Sequence, residues 1–362
     1  MAKKDLFEKP FDEGTLHKLQ IFEDYFKEWL PVFISRREII WNTIQIFDFF
    51  AGEGKDIKGT DGSPLRIIKI LNQNKAQILQ NNIKINVVIN EFDKDKYDML
   101  IENINSVADR SVYNLELINK DFAIVFTEYY ESMKQTANFL FLDQNGIKQI
   151  TENIFSKLIA LKQTDFLFFI SSSFIKRFSE LEEFRKYFNF SKEELEGKSY
   201  YHIHRFVLSY YRSMIPATKE YFLSPFSIKK PAGIYGLIFG SNHTLGIEKF
   251  LHVCWRHDKL RGEANYDIDK EGIDIKQPGL FPELDVPSKK QVFSENLSRK
   301  ILSRELKSDR EVYLFTLNEG FLLKEANLIL KQLSKEGKIS YSFNTTSADL
   351  HKIKVHSPIN VK

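Results

Sequence analysis

Asp48, Gly52, Gly54 and Ser63 stand where one hydrophobic pattern stops and another begins. The run Ile44-Gln45-Ile46-Phe47-Asp48-Phe49-Phe50 has strand length and β-branched and aromatic character. It ends in Ala51-Gly52-Glu53-Gly54, and an apolar helical pattern starts at Ser63-Pro64-Leu65. Such a strand–loop–helix unit places glycine where the backbone must pass close to a ligand. A triphosphate loop needs G-x-x-x-x-G-K-[ST], but Asp56 stands after Gly54-Lys55. A dinucleotide fingerprint needs a third glycine three residues after the second, and Ile57 occupies that place. What remains is a backbone loop and an acidic side chain around another polar ligand, or a strand–turn–helix that binds none.

Carboxylates recur at the ends of later apolar runs. Ile85 to Asn90 closes on Glu91, and Leu115 to Ile118 is followed by Asn119-Lys120-Asp121. Phe139 to Leu142 is followed by Asp143-Gln144-Asn145-Gly146, and Phe166 to Ile170 by Ser171-Ser172-Ser173. Helical stripes separate these runs. Near-continuous apolar strands alternating with helices predict a parallel sheet covered on both faces. Ligands of such sheets sit beyond the carboxyl ends of the strands, where Asp48–Gly54, Glu91, Asp121 and Asp143–Gly146 all fall.

The spacing acidic–x–Phe–x–Gly–x–Gly, Asp48 to Gly54, resembles motif I of Rossmann-like S-adenosylmethionine-dependent methyltransferases. The resemblance implies that Asp48, Phe50, Ala51, Gly52, Gly54 and Ser63 contact that cofactor, with Ser63 as N-cap and Pro64 in the first turn of the following helix. Glu91 would accept from ribose hydroxyls, although it lies farther from Gly54 than the usual ~20 residues. The polar insertion from Lys55 to Gly62 accounts for part of the excess. Asp121 would accept from the adenine amino group, or is a solvated loop acid.

The supporting elements follow from periodicity. Leu16, Leu19, Phe22, Phe26, Trp29 and Leu30 predict a helix stopped by Pro31 and packed on the sheet edge. Residues 174 to 233 read as a helical, aromatic and basic insertion. It would either stack and pair with an unpaired nucleic-acid strand or form an amphipathic lid. Ser171, Arg177, His204 and Arg205 are the candidate substrate contacts. His202, His204 and His243 lack carboxylates at ligand spacing, so no metal site is expected. A further strand, Ile234 to Gly240, and a helix from Leu245 to Trp255 complete a domain over 1–270.

Glycines, prolines and acids mark a linker over 271–288. Beyond it, residues 289 to 310 hold seven basic residues against three acidic ones. A helix there precedes Val312-Tyr313-Leu314-Phe315. A second helix carries Leu322, Ala326, Ile329, Leu330 and Leu333, and Lys338–Phe343 would pair with Ile353–Val355. Helices followed by a hairpin over 289–362 read as a winged helix, which binds duplex nucleic acid or protein.

The net charge of +3 does not mark a strongly basic nucleic-acid binder. One cysteine, Cys254, excludes an intramolecular disulfide and a Cys-rich zinc site. The first residues lack a signal-peptide apolar region, and no apolar run approaches the ~20 residues that span a bilayer. A soluble, cytoplasmic protein is expected, with no membrane partner.

With these residues in place, the chain resembles the three-Cys-motif partner protein family over nearly its whole length. The matching stretches include Asp48-Phe49-Phe50-Ala51-Gly52 with Gly62-Ser63-Pro64-Leu65, Phe168–Ser173 with Arg177-Phe178, and Tyr235–Ser241. Lys249-Phe250-Leu251, Gly262-Glu263-Ala264-Asn265 and Thr316–Phe321 match too. The resemblance implies a methyltransferase-like domain, a C-terminal helical region and a separate radical-type partner bearing a three-cysteine motif; it supplies no substrate. Many members resemble Asp-Pro-Phe-Gly at the fourth-strand tip, where this chain has Asp143-Gln144-Asn145-Gly146. Amino methyltransferases of nucleic acids use [DNS]-P-P-[YFW] there; Asp143 would still accept one amino hydrogen, but exocyclic-amine methylation loses its best support. Asp143 would orient or deprotonate a nucleophile and Gln144 would contact a substrate edge. The competing reading is a non-catalytic module that senses a nucleotide-like ligand or binds nucleic acid.

Overall fold

The computed structural model describes residues 9–35, 40–144, 148–171, 175, 200–231, 233–271, 287–345, 350–352 and 356–362. They form two compact units, Met1–Asn242 and His243–Lys362. By contacts, the division falls before the helix over Leu245–Trp255. Residues 272–286 of the expected linker over 271–288 lie outside the described residues.

The N-terminal unit opens with α1 (Glu13–Ile34), capped by the Asp12 carboxylate. Then come β1 (Thr43–Asp48), α2 (Ser63–Gln73), α3 (Lys75–Gln80), β2 (Lys84–Asn90), α4 (Lys94–Asn105), β3 (Asn114–Ile118), α5 (Phe122–Met133) and β4 (Ala137–Leu142). After these follow α6 (Glu152–Ala160), β5 (Gln163–Ile170), α7 (Ile203–Ser213), β6 (Phe222–Lys230) and β7 (Gly233–Ser241). The strands make one seven-stranded sheet in the order β3-β2-β1-β4-β5-β7-β6. β1 through β5 pair in parallel, while β7 is antiparallel to both β5 and β6. With helices on both faces, this is the Rossmann-like methyltransferase fold. Its strand order reverses at β1, which neighbours both β2 and β4, and such a switch point opens a crevice at the strand ends.

Strand alternation divides the core into two layers. Phe139 and Phe141 of β4 meet α1, with Phe22 4.3 Å from Phe141 and Phe26 5.5 Å from Phe139, ring centre to ring centre. Leu140 and Leu142 point the other way, into a cluster with Phe126, Phe155, Phe166, Phe168 and Tyr211. Helix α1 therefore lies across the sheet face over β4 rather than at its edge, and it runs through Pro31 to Ile34.

Part of the expected insertion proves to be sheet. Residues 222–230 are β6, an edge strand whose Pro225 needs no second pairing partner. Residues 172–174 and 176–199, including Arg177, lie outside the described residues.

The C-terminal unit contains α8 (Thr244–His257), α9 (Lys289–Leu302), α10 (Asp309–Asn318) and α11 (Leu323–Lys335), then β8 (Ile339–Ser340) paired antiparallel with β9 (Asn360–Val361). Val312–Phe315 is helical because Ser308 caps α10, and Val312 and Tyr313 face the interior of this unit. The partner of β8 is 360–361; residues 353–355 lie outside the described residues. Phe293, Leu297, Leu330 and Leu333 form this unit's own core.

Candidate functional site

Asp48, Glu91 and Asp143 close three neighbouring strands, β1, β2 and β4, at the switch point. The loop after β1 is bound to β2 at two places. Ala51 N–H donates to the Asn90 carbonyl at 3.0 Å, and Gly52 N–H donates to Glu91 Oε2 at 2.8 Å. Glu91 Oε1 accepts from Asp93 N–H at 2.9 Å, which orients the carboxylate at the start of α4. Gly52 and Gly54 have φ of 63° and 84°, the left-handed region that glycine enters without steric cost.

The 55–62 insertion closes on itself. Gly62 N–H donates to the Gly54 carbonyl at 2.8 Å, and a Cβ on Gly62 would stand 3.0 Å from that oxygen. The Asp56 carboxylate collects the N–H groups of Phe11, Lys58 and Thr60. The extra residues thus leave the loop beside the helix start. Gly62, not Ser63, is the N-cap of α2; Ser63 is its first residue, and its hydroxyl acts on Asp48.

Asp48 is fully buried. Its Oδ1 accepts from Phe50 N–H at 3.3 Å, and its Oδ2 has no hydrogen bond of good geometry. Burial pushes its pKa up to about 7. The Ser63 hydroxyl and Phe50 N–H oppose that shift, and the Asp143 and Glu91 carboxylates add to it.

Phe50 lies 5.1 Å from Phe122, ring to ring, and both continue the apolar cluster to the site. Asp121 is the N-cap of α5 and accepts from Ala123 N–H at 2.8 Å. Asn90, absent from the candidates above, joins the three loops: its amide donates to the Phe49 and Lys120 carbonyls and accepts from Lys120 N–H. Its signal was an amide at the end of β2, immediately before Glu91.

At the β4 tip, Asp143 is ion-paired with Lys18 of α1, and both side chains are largely buried. Gln144 is buried, its Oε1 accepting from Gln149 N–H at 2.8 Å while its Nε2 lacks a partner. Lys18 lies 4.7 Å over the Phe169 ring of β5. Lys230, the last residue of β6, lies 5.2 Å from the same ring and 5.1 Å from that of Tyr235. Lys18 falls at helical spacing from Phe22, Phe26 and Trp29 but, like Lys230, was absent from the candidates above.

Ser171 follows β5, and His204 on α7 is fully buried, packed where a Cβ on Gly236 would meet it at 3.0 Å. Gly236 pairs with Ile170, so His204 sits near the same end of β5, and Arg205 is the next residue of α7. Among the described residues no group of three or more His, Cys, Asp or Glu is arranged to hold a metal, and no helix is long and apolar enough to cross a membrane.

A family model, the GMT-like wHTH domain, matches residues 267–346. No curated protein sequence matches the chain. Among solved structures, the chain is similar to Trm1 from Pyrococcus horikoshii with S-adenosyl-L-methionine, at 11% identity and TM-score 0.35, covering 97% of this chain and 91% of that one. It is also similar to the O-methyltransferase from Bacillus cereus in complex with SAH, at 14% identity and TM-score 0.33, covering 64% and 91%. A third is the O-methyltransferase TomG from Streptomyces achromogenes in complex with SAM, at 9% identity and TM-score 0.32, covering 65% and 92%.

Proposed function

We propose that this chain is an S-adenosylmethionine-dependent methyltransferase whose cofactor lies across the tips of β1, β2 and β4. The observation that carries this reading is the hydrogen bond between Gly52 N–H and the Glu91 carboxylate at 2.8 Å, made at the switch point by a left-handed glycine. The residues present fit the cofactor. Glu91 stands where a carboxylate accepts from ribose hydroxyls, Asp48 has a buried oxygen without a good hydrogen bond, and Phe50 and Phe122 offer an apolar wall. Bound S-adenosylmethionine would supply an electrophilic methyl group on a positively charged sulfur.

The protein's own work is then to hold the nucleophile in line and to keep water out. Asp143 and Gln144, at the tip of the strand beside β1, orient the substrate. The Lys18 ammonium fixes the Asp143 carboxylate in one direction. The C-terminal winged helix recruits what is modified, a nucleic acid or a product of a three-Cys-motif partner protein.

Thermal unfolding with S-adenosylhomocysteine tests the binding half of this reading. A ligand at 100 times its Kd stabilises the folded state by ~2.7 kcal/mol, an easily read shift in Tm. Transfer of tritiated methyl groups to cellular RNA, DNA and protein tests the catalytic half. No shift at millimolar ligand would refute the cofactor; a shift without transfer to any fraction would favour a sensing module.

A further inference from the structure

Beside the switch point, the ends of β4, β5 and β6 carry an arrangement that motif I does not require. Lys18 and Lys230 both stand over the Phe169 ring, and Tyr235 stacks on that ring at 5.2 Å and 11°. Lys18 neutralises Asp143. Lys230 Nζ donates to the uncharged Thr15 hydroxyl at 2.8 Å, and among the described residues it makes no ion pair. The stem of Lys230 is held in place from the helix side. A Cβ on Gly14 would stand 2.3 Å from its Cγ, so only glycine at that position of α1 leaves the lysine room.

This electrostatic setting discriminates between nucleophiles. An amine gains positive charge as it is alkylated, and its N–H groups need an acceptor. Here the β4-tip carboxylate is already engaged by Lys18, and a second ammonium lies nearby. An oxygen acid has the opposite requirement: its reactive form is an anion, which two ammonium groups favour. Tyr235, half-buried and stacked on the buried Phe169 ring, offers the aromatic surface for a flat, conjugated carrier of that oxygen.

We infer that Lys18, Lys230, Phe169 and Tyr235 form a subsite for a small conjugated oxygen acid, a phenol or enol, and that Lys230 takes its proton. In that step the O–H bond breaks, its proton forms an N–H bond on the neutral Lys230 amine, and the electron pair stays on oxygen as an oxyanion beside the new ammonium. Burial, with Lys18 adding to it, brings the Lys230 pKa down to about 8, which leaves a neutral fraction near physiological pH. Asp143 and Asp12 oppose the shift. The groups facing Lys230 are Asp12, Thr15 and Lys18 from α1, Asp143 from the β4 tip, Phe169 from β5 and Tyr235 from β7. Lys18 is a positioning residue, since it cancels the Asp143 charge that would repel the oxyanion. The inference rests on the methyl-transfer reading for its purpose but not for its test.

The probe is 4-nitrocatechol, whose visible spectrum reports ionisation of its hydroxyl. It is titrated with the full chain across pH, with and without S-adenosylhomocysteine. Bound dye is expected to ionise at a pH lower than free dye by about one unit or more, as for an acid beside an opposite charge. Lys230→Gln, which keeps a donor for Thr15, should abolish that shift, and Lys18→Met should shrink or reverse it. Dye that stays unbound, or that binds without a shift, overturns the subsite. So does an unchanged shift in Lys230→Gln, provided circular dichroism matches the wild type. Loss of S-adenosylhomocysteine binding with the dye shift intact would overturn the cofactor reading and leave the subsite standing; the converse result would do the reverse.

Discussion

Lys18, on the first helix, donates to the Asp143 carboxylate at the tip of β4, 125 residues away along the chain. The bond ties α1 to the site as well as to the sheet, and it means that Asp143 does not wait there as an unengaged base. Lys18→Met strands a largely buried carboxylate and is expected to cost about 3 kcal/mol, the low end for breaking a buried pair because Asp143 keeps some solvent access. Asp143→Asn should cost less, since the amide still accepts from the lysine. Urea unfolding of both single variants and the double variant should show a double-variant loss smaller than the sum of the two. Additive losses would mean that the pair is not coupled.

Asp48 makes stability depend on pH with a definite sign. The unfolded side chain loses its proton near 3.9, while the buried one holds it to about 7. Between those values the folded state binds more protons, so stability is lost as pH rises, by roughly 4 kcal/mol over three units. Asp165, pushed up to about 6 by burial and held back by Ser241 and Tyr25, adds a slope of the same sign. Asp48→Asn should be more stable than wild type at pH 8 and lose that advantage toward pH 4. A variant less stable at pH 8 would contradict this assignment.

Gly52 adopts φ of 63°, so Gly52→Ala should cost about 1–2 kcal/mol from backbone conformation alone. Because its N–H also anchors Glu91, the variant should lose S-adenosylhomocysteine affinity while keeping a wild-type circular dichroism spectrum. Retained affinity would place the ligand elsewhere.

The C-terminal unit begins at α8. Trp255 Nε1 donates to the Gly320 carbonyl at 3.0 Å, and Tyr313 donates to Glu248 at 3.0 Å. A fragment of residues 243–362 is expected to unfold cooperatively. One of residues 289–362, which lacks Trp255, should be less stable by about 3–5 kcal/mol, the range for losing a packed tryptophan. Equal stability would place the boundary at 271–288.

The strands that lead to the site were legible because buried parallel strands are written as near-continuous apolar runs, and each is followed by the polar residue that marks its tip. The edge strand β6 was not legible. Ser224, Pro225, Ser227 and Lys229 interrupt its pattern, and only its edge position makes the proline tolerable. Pro31 misled in the opposite sense, since packing of Phe33 and Ile34 carries α1 beyond it. Val312–Phe315 has strand composition, but its cap at Ser308 and its packing make it helix. Lys18 and Lys230 were missed at the site for a simpler reason. A lysine in sequence reads as solvated, and only the fold brings both ammonium groups over one phenylalanine ring.

Calorimetric titration of wild type and Glu91→Gln with S-adenosylhomocysteine is the most direct test of the central claim. Wild type should bind one equivalent. Glu91→Gln, folded but without the charged acceptor, should bind more weakly by about 1.5–3 kcal/mol, a loss of roughly ten- to a hundredfold in affinity. No heat of binding to folded wild type, or equal affinity in the variant, would contradict the claim that these strand tips hold the cofactor.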